Sequence, residues 1–364
     1  MDRQREIRLL ILLAVLWALP VGACGQTTKG ESNLPPNIVR LSPYVSVGYS
    51  PERSGMLYGG LNLRYLSDLK SKEISSFDFA ADISLNLSVG ASASGIHYSP
   101  KGKFVIDWGA GYDYSPIQFW GVENIGQAKD APSTSLTSHK LKVKGDFLYR
   151  DIRSGIYIGP IAGLDFYRNA KVADSSFVIG LAPEELDLFT GLHFIWDKRD
   201  NMVYPTRGVC MDLLQRFFFP LRGGTETFYN TTALLDVYIP AWKGAVFMLD
   251  FYGDFVYGNA PWMMWPLLGQ DSHLRGYYNG RYREKNLFSA QLEFRQKIKE
   301  IHAIVVWGGA GWMFHDVKSF NVNTVLPTVG LGYRLNVGGF VLHIDFGVGR
   351  EWQNSLTAGF SASF

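Results

Sequence analysis

Over long stretches of this chain, apolar and polar residues change places at every position. Ala81, Ile83, Leu85, Leu87 and Val89 interleave with Asp82, Ser84, Asn86 and Ser88. The same rule sets Leu57, Leu61, Leu63 and Tyr65 against Asn62 and Arg64, and Leu141, Val143 and Phe147 against Lys142, Lys144 and Asp146. It returns in Phe288, Ala290, Leu292 and Phe294 against Ser289, Gln291, Glu293 and Arg295, and in Leu342, Ile344, Phe346 and Val348 against His343 and Asp345. Side chains of a strand point alternately to its two faces, so each run has one apolar face and one that carries the charge. One such run describes a half-buried strand of a soluble sandwich. The set does not, because most runs are roughly 9 to 13 residues long and the usual globular strand has about 5 or 6.

Aromatic residues make up 15% of the chain, with 24 Phe, 19 Tyr and 10 Trp. Tyr and Trp suit a membrane-water interface, where an apolar ring and a polar tip are both satisfied. Yet beyond the first 25 residues the best apolar stretch, Ala303 to Phe314, has 12 residues and three glycines, against the ~20 that a spanning helix needs. A membrane-adapted chain without a spanning helix has one remaining solution, a closed barrel whose backbone groups all pair between strands. Candidate strands begin near residues 41, 57, 79, 104, 140, 156, 187, 208, 226, 246, 286, 304, 329, 340 and 356. Bacterial barrels have even strand numbers, so the reading is an all-β, antiparallel transmembrane barrel of sixteen strands over residues 41–364. The stretches 122–138, 168–186 and 258–285 are its long connections, expected on the extracellular side.

The first 25 residues read as an export signal. Arg3, Arg5 and Arg8 give a basic start, Leu9 to Leu19 is apolar, and Val21-Gly22-Ala23 supplies small residues for cleavage. Two cleavage readings compete: ordinary cleavage before Gln26, which is preferred because a barrel needs no lipid anchor, and a lipoprotein pattern in which Cys24 is lipidated. Residues 26–40 form a short lead-in. Cys210 is the other cysteine, so no disulfide framework is available to an exported chain. A net charge of +2 gives no nucleic-acid footprint.

Three segments narrow the barrel to a family. Gln270 to Asn286 contains Leu274-Arg275-Gly276-Tyr277 ahead of a strand; Asp197-Lys198-Arg199-Asp200-Asn201 is followed by Tyr204-Pro205-Thr206-Arg207-Gly208; and the chain closes with Gly330 to Arg334 and Leu342 to Gly347. In this order and spacing they resemble the sixth extracellular loop, the DxRDN…YPTRG turn and the last strands of the BamA/TamA family, also called the bacterial surface antigen superfamily. Tyr49 to Glu52 and Phe119 to Gly121 extend a weaker likeness toward the start. The last strand alternates up to Phe360 and Phe364, as outer-membrane barrels do in the signal they present to their assembly machinery.

The resemblance implies a loop folded into the barrel lumen, with Arg275 meeting acidic residues on the inner wall. A guanidinium is a planar five-donor fork suited to pinning a long loop through carboxylates. Glu293 is the candidate partner. Where the family carries a second aspartate, this chain has Gly309, and Asp345 or Asp254 is left to compensate. Gly308, Gly309 and Gly311 make room for the loop. For Asp197, Arg199, Asp200, Asn201, Pro205, Arg207 and Gly208 the residues themselves suggest a turn held by local pairs.

The family likeness also implies a role in outer-membrane protein assembly or polypeptide translocation. The expected form is a short one without periplasmic polypeptide-transport repeats, acting as accessory to a partner that has them. The expected partners are outer-membrane lipid, assembly components and client polypeptides. The other reading is a stand-alone structural barrel or a passive channel plugged by its loop. Nothing in the sequence suggests an enzyme, cofactor or metal: the seven histidines form no HExxH, no GxSxG elbow occurs, and Asp271-Ser272-His273 has triad residue types without triad geometry.

Overall fold

The computed structural model describes residues 37–223, 226–269, 273–316, 321, 324–337 and 340–362. The expected signal peptide with Cys24, most of the lead-in, and Phe364 lie outside the described residues. Sixteen antiparallel strands close into a barrel, each paired with its neighbours in sequence. They are β1 (Ile38–Ser50), β2 (Ser54–Leu66), β3 (Ile74–Ser84), β4 (Val89–Tyr98), β5 (Phe104–Phe119), β6 (Thr134–Asp151), β7 (Ile156–Val172) and β8 (Glu184–Asp197). The second half comprises β9 (Gly208–Arg222), β10 (Phe228–Pro240), β11 (Ala245–Tyr257), β12 (Asn286–Lys299), β13 (His302–Phe314), β14 (Val325–Val337), β15 (Phe340–Gly349) and β16 (Asn354–Ala362). Among the described residues, no helix is long and apolar enough to cross a membrane.

The alternation in sequence becomes the two faces of the wall. On β12, Phe288 and Leu292 are exposed outward while Ser289, Gln291, Glu293 and Arg295 are buried inside. On β6, Val143 and Phe147 face out and Asp146 is buried; on β15, Phe346 faces out and Asp345 is buried. The apolar outer band suits hydrocarbon, whereas the lumen is lined with charge.

The run from Ala81 to Val89 is not one strand, which corrects the sequence reading. It breaks after Ser84, Leu87 turns through φ +67°, and β4 starts at Val89. Asn86 holds the turn by accepting from the Ser88 amide at 3.2 Å and donating to the Glu52 carbonyl at 2.6 Å. Leu85 and Leu87, 66% and 74% exposed, keep the apolar rhythm through the turn, which is why periodicity alone does not reveal it. The strand absent from the sequence reading is therefore β4, whose Gly-Ala-Ser-Ala-Ser-Gly core has little alternation. Its smallness is a packing requirement, since a Cβ on Gly95 would come within 2.6 Å of the Phe77 ring and 2.8 Å of the Trp108 indole.

Two long connections are shorter than expected, because β6 begins at Thr134 and β7 runs to Val172. Strands β5, β6 and β7 have 16, 18 and 17 residues, well beyond the ~9–11 needed to span hydrocarbon, so they carry the wall past the membrane. Connections 120–133, 173–183 and 258–285 all lie at one rim. The turn 198–207 lies at the other.

The seam between the first and last strands differs from the other junctions. Strands β15 and β16 pair from Phe340↔Ala362 to Val348↔Asn354, and β1 and β2 pair from Ile38↔Tyr65 to Ser50↔Ser54. Among the described residues, β1 meets β16 at a single ladder position, Tyr49↔Ala358. A backbone bond contributes about 0.5–1.5 kcal/mol, so among the described residues this junction is the most weakly paired in the wall.

Candidate functional site: an arginine-centred lumen network

Connection 258–285 returns from the rim with its middle buried against the inner faces of β12 to β16. Arg275, only 6% exposed, donates through Nη2 to Glu293 Oε2 at 2.5 Å and through Nη1 to Asp345 Oδ2 at 3.3 Å. Its guanidinium lies 3.9 Å from the centroid of the Trp307 ring. Each acid has a second arginine: Arg295 reaches Glu293 at 3.1 Å, and Arg334 grips Asp345 with two bonds of 2.8 and 3.0 Å. The charges alternate through Arg334, Asp345, Arg275, Glu293 and Arg295, so both carboxylates of this network face two cations. Such pairing is what keeps buried ions tolerable, because removing one member leaves an uncompensated charge.

The place left by Gly309 is filled from another strand. Gly309 on β13 stands opposite Gln291, and Asp345 on β15 supplies the second carboxylate. Asp254, the other candidate, accepts instead from Asn230 at 2.6 Å and lines a cavity of about 210 Å³ with Lys140, Lys142 and Arg216. His273 pairs with Asp250 at 2.9 Å and stacks on Tyr252. Asp271 and Ser272 lie outside the described residues.

Neighbouring motif residues are fixed by shape. Gly276 holds φ +121°, a conformation that L side chains rarely adopt, and a Cβ there would come within 2.6 Å of Thr328 Oγ1. Its amide donates to Ser355 Oγ on β16 at 3.1 Å, and the Arg275 carbonyl accepts from Thr328 Oγ1. The Tyr277 hydroxyl donates to the Pro327 carbonyl at 2.5 Å and accepts from the Arg350 amide at 2.9 Å. Leu274 and Tyr277 join Leu268, Tyr282, Leu287, Met313 and Leu326 in one buried cluster between loop and wall. Of the three glycines expected to make room, Gly311 does so directly, since its Cβ would meet Leu274 at 2.4 Å. A Cβ on Gly309 would instead meet the backbone of β12, and one on Gly308 would find only ordinary contact.

The loop also reaches the opposite side of the seam. The Asn279 amide donates to Glu52 Oε1, beyond β1, at 2.5 Å. The Tyr278 hydroxyl accepts from the Gln118 amide at 3.0 Å, and its burial raises that phenol to about 12, which keeps it neutral. Contacts at Ser355 of β16 and at Glu52, in the turn that follows β1, thus place one loop on both sides of the weak junction.

The turn 198–207 is built largely as its residues suggest. Asp197 takes two side-chain bonds from Arg199 at 2.6 and 3.0 Å, and Asn201 Oδ1 accepts from the Val203 and Tyr204 amides, both at 2.8 Å. Asp200 accepts from the Thr206 and Arg207 amides at 2.8 and 3.2 Å. Burial opposes ionisation of Asp200, but bonds from Thr206 and these amides hold its carboxyl below the usual range. The Arg207 side chain is exposed, and Gly208 turns through φ +115°, where a Cβ would strike the Lys198 carbonyl. What sequence reasoning missed is the inward reach of this turn. Arg295 donates to the Pro205 carbonyl at 3.3 Å and lies 4.3 Å from the Tyr204 ring centroid. Turn and loop, 70 residues apart in Tyr204 and Leu274, are joined through Arg295 and Glu293. The aromatic beside a charged-face arginine was the available signal, but nothing local says which arginine it meets.

A profile of the Omp85 superfamily domain matches residues 173–310. The crystal structure of BamA from Haemophilus ducreyi lacking POTRA domains 1-3 is similar with a TM-score of 0.60 and 12% identity, over 88% of this chain and 70% of that one. CdiB from Acinetobacter baumannii gives 0.59 and 12%, over 89% of this chain and 60% of that one. CdiB from Escherichia coli gives 0.58 and 12%, over 88% and 67%. At such identity the likeness is one of fold. A sequence search of curated proteins finds no match.

Proposed function

We infer, from the match of residues 173–310 to the Omp85 superfamily domain, that this chain is an outer-membrane barrel of that superfamily that assists the assembly or translocation of other polypeptides. The observation that carries this reading is the seam. An edge strand with unpaired N–H and C=O groups is a template for an incoming strand. Strand β1 approaches such an edge, because among the described residues Tyr49↔Ala358 is its one ladder position with β16. The loop bound at Ser355 and Glu52 then acts as a latch across the junction, with Arg275 as its anchor. Export through a cleaved signal over residues 1–25, and action beside a partner that holds clients in the periplasm, complete the proposal. No chemical step is required of the barrel.

Depletion in the native host tests it: the levels of other outer-membrane proteins should fall. Unchanged levels with altered small-solute permeability would instead support a channel plugged by its loop, the second reading, which the buried loop cluster favours.

A further inference from the structure

Three side chains from separate connections meet at the outer rim, outside the lumen network. Glu123 comes from connection 120–133, Glu284 from the end of 258–285, and His315 directly follows β13. One ligand atom from each lies within 4.8 Å of the other two, and His315 Nδ1 is 3.4 Å from Glu123 Oε1. Glu284 is 3% exposed, and its Oε1 is buried without a hydrogen-bond partner. A buried carboxylate oxygen left unpaired is costly unless a cation completes it.

The backbone beneath these groups is already fixed. The Glu123 amide donates to the Arg283 carbonyl at 3.0 Å, and Asn124 Oδ1 accepts from the Arg283 amide at 3.0 Å. Asn286 Nδ2 donates to the His315 carbonyl at 2.9 Å. Placement is therefore set by contacts that do not involve the three side chains themselves. Glu123 and His315 are both about half exposed, which leaves an entry path from solvent.

We propose that Glu123, Glu284 and His315 form a site for a zinc-class divalent transition-metal ion that ties three rim connections together. Zinc takes imidazole nitrogen and carboxylate oxygen at about 2.0–2.2 Å, so neighbouring donors of a tetrahedron stand roughly 3.3 Å apart. The separation of 3.4 Å between His315 and Glu123 already matches one such edge. Glu284, whose ligand atom lies within 4.8 Å of both, closes on the ion, and water takes the fourth position. An imidazole in the set favours zinc over the all-oxygen cations calcium and magnesium. No spacing motif announces the site, because its ligands are separated by 161 and 31 residues.

The test is calorimetric titration of the purified full-length barrel, stripped of metal and held in detergent micelles, with Zn²⁺ alone. The expected result is a single ion bound at micromolar affinity or better. His315→Ala and Glu284→Gln should each weaken it about tenfold or more. Zn²⁺ should also slow proteolysis of the rim connections in the parent protein and not in His315→Ala. His315 is half exposed, so that variant should keep the barrel's heat-modifiable gel migration, which separates lost binding from lost folding. No uptake by the folded parent, or uptake undiminished in folded His315→Ala, overturns the proposal.

Discussion

Gly276 of the loop lies so close to Gly347 of β15 that a Cβ on Gly347 would come within 2.7 Å of the Gly276 Cα. Loop and wall therefore meet backbone to backbone, and that approach is what lets Arg275 reach two strands at once. A Gly347→Leu variant should fold its barrel but lose loop docking while Arg275, Glu293 and Asp345 remain in place. Protease sensitivity of connection 258–285, compared with heat-modifiable migration of the whole barrel, reads this out. Full loop protection would show that the close approach is dispensable.

Arg275→Ala should release the loop through loss of charge pairing. Breaking a buried ion pair costs on the order of 3 kcal/mol, which is roughly a hundredfold rise in the open population at about 1.4 kcal/mol per tenfold. Arg275→Lys should recover little, because a point charge does not span Glu293 and Asp345 as the fork does. Limited proteolysis rates for the two variants check this; rates equal to the parent's would make the arginine a bystander.

The Tyr204 contact with Arg295 predicts coupling between opposite ends of the lumen. In a double-mutant cycle, Tyr204→Ala and Arg275→Ala should be non-additive by about 0.5–3 kcal/mol, as expected for members of one network. Denaturant midpoints of the four proteins suffice. Strict additivity would leave the turn as a local structure.

The seam yields a prediction about activity. Tyr49→Cys combined with Ala358→Cys should form a disulfide, because facing ladder residues stand about 4.5–5.5 Å apart between Cα atoms, within the roughly 4.4–6.8 Å that a disulfide accepts. Oxidation should lower the levels of other outer-membrane proteins, and reduction should restore them. The same pair of substitutions at Tyr333 and Ile344, which face each other between β14 and β15, should have no such effect. Normal levels with the seam locked would count against lateral opening.

The sequence by itself determined the wall. Alternation in runs such as Phe288 to Arg295 reflects a strictly local rule, one residue in and one out, so it shows both the strand and which side chains line the lumen. It failed where the local rule misleads: Leu85 and Leu87 continue the rhythm through a turn, and β4 has almost no rhythm because its neighbours' aromatic rings need the space. Sequence also singled out Arg275 and Glu293 as partners, through motif and face. Only the tertiary structure decided that Asp345 stands in for the carboxylate absent at Gly309, that Tyr204 reaches Arg295, and that Glu123, Glu284 and His315 converge. Those relations depend on closure of the sheet and on the path of a long loop inside it, which bring together residues whose separation along the chain carries no information about distance.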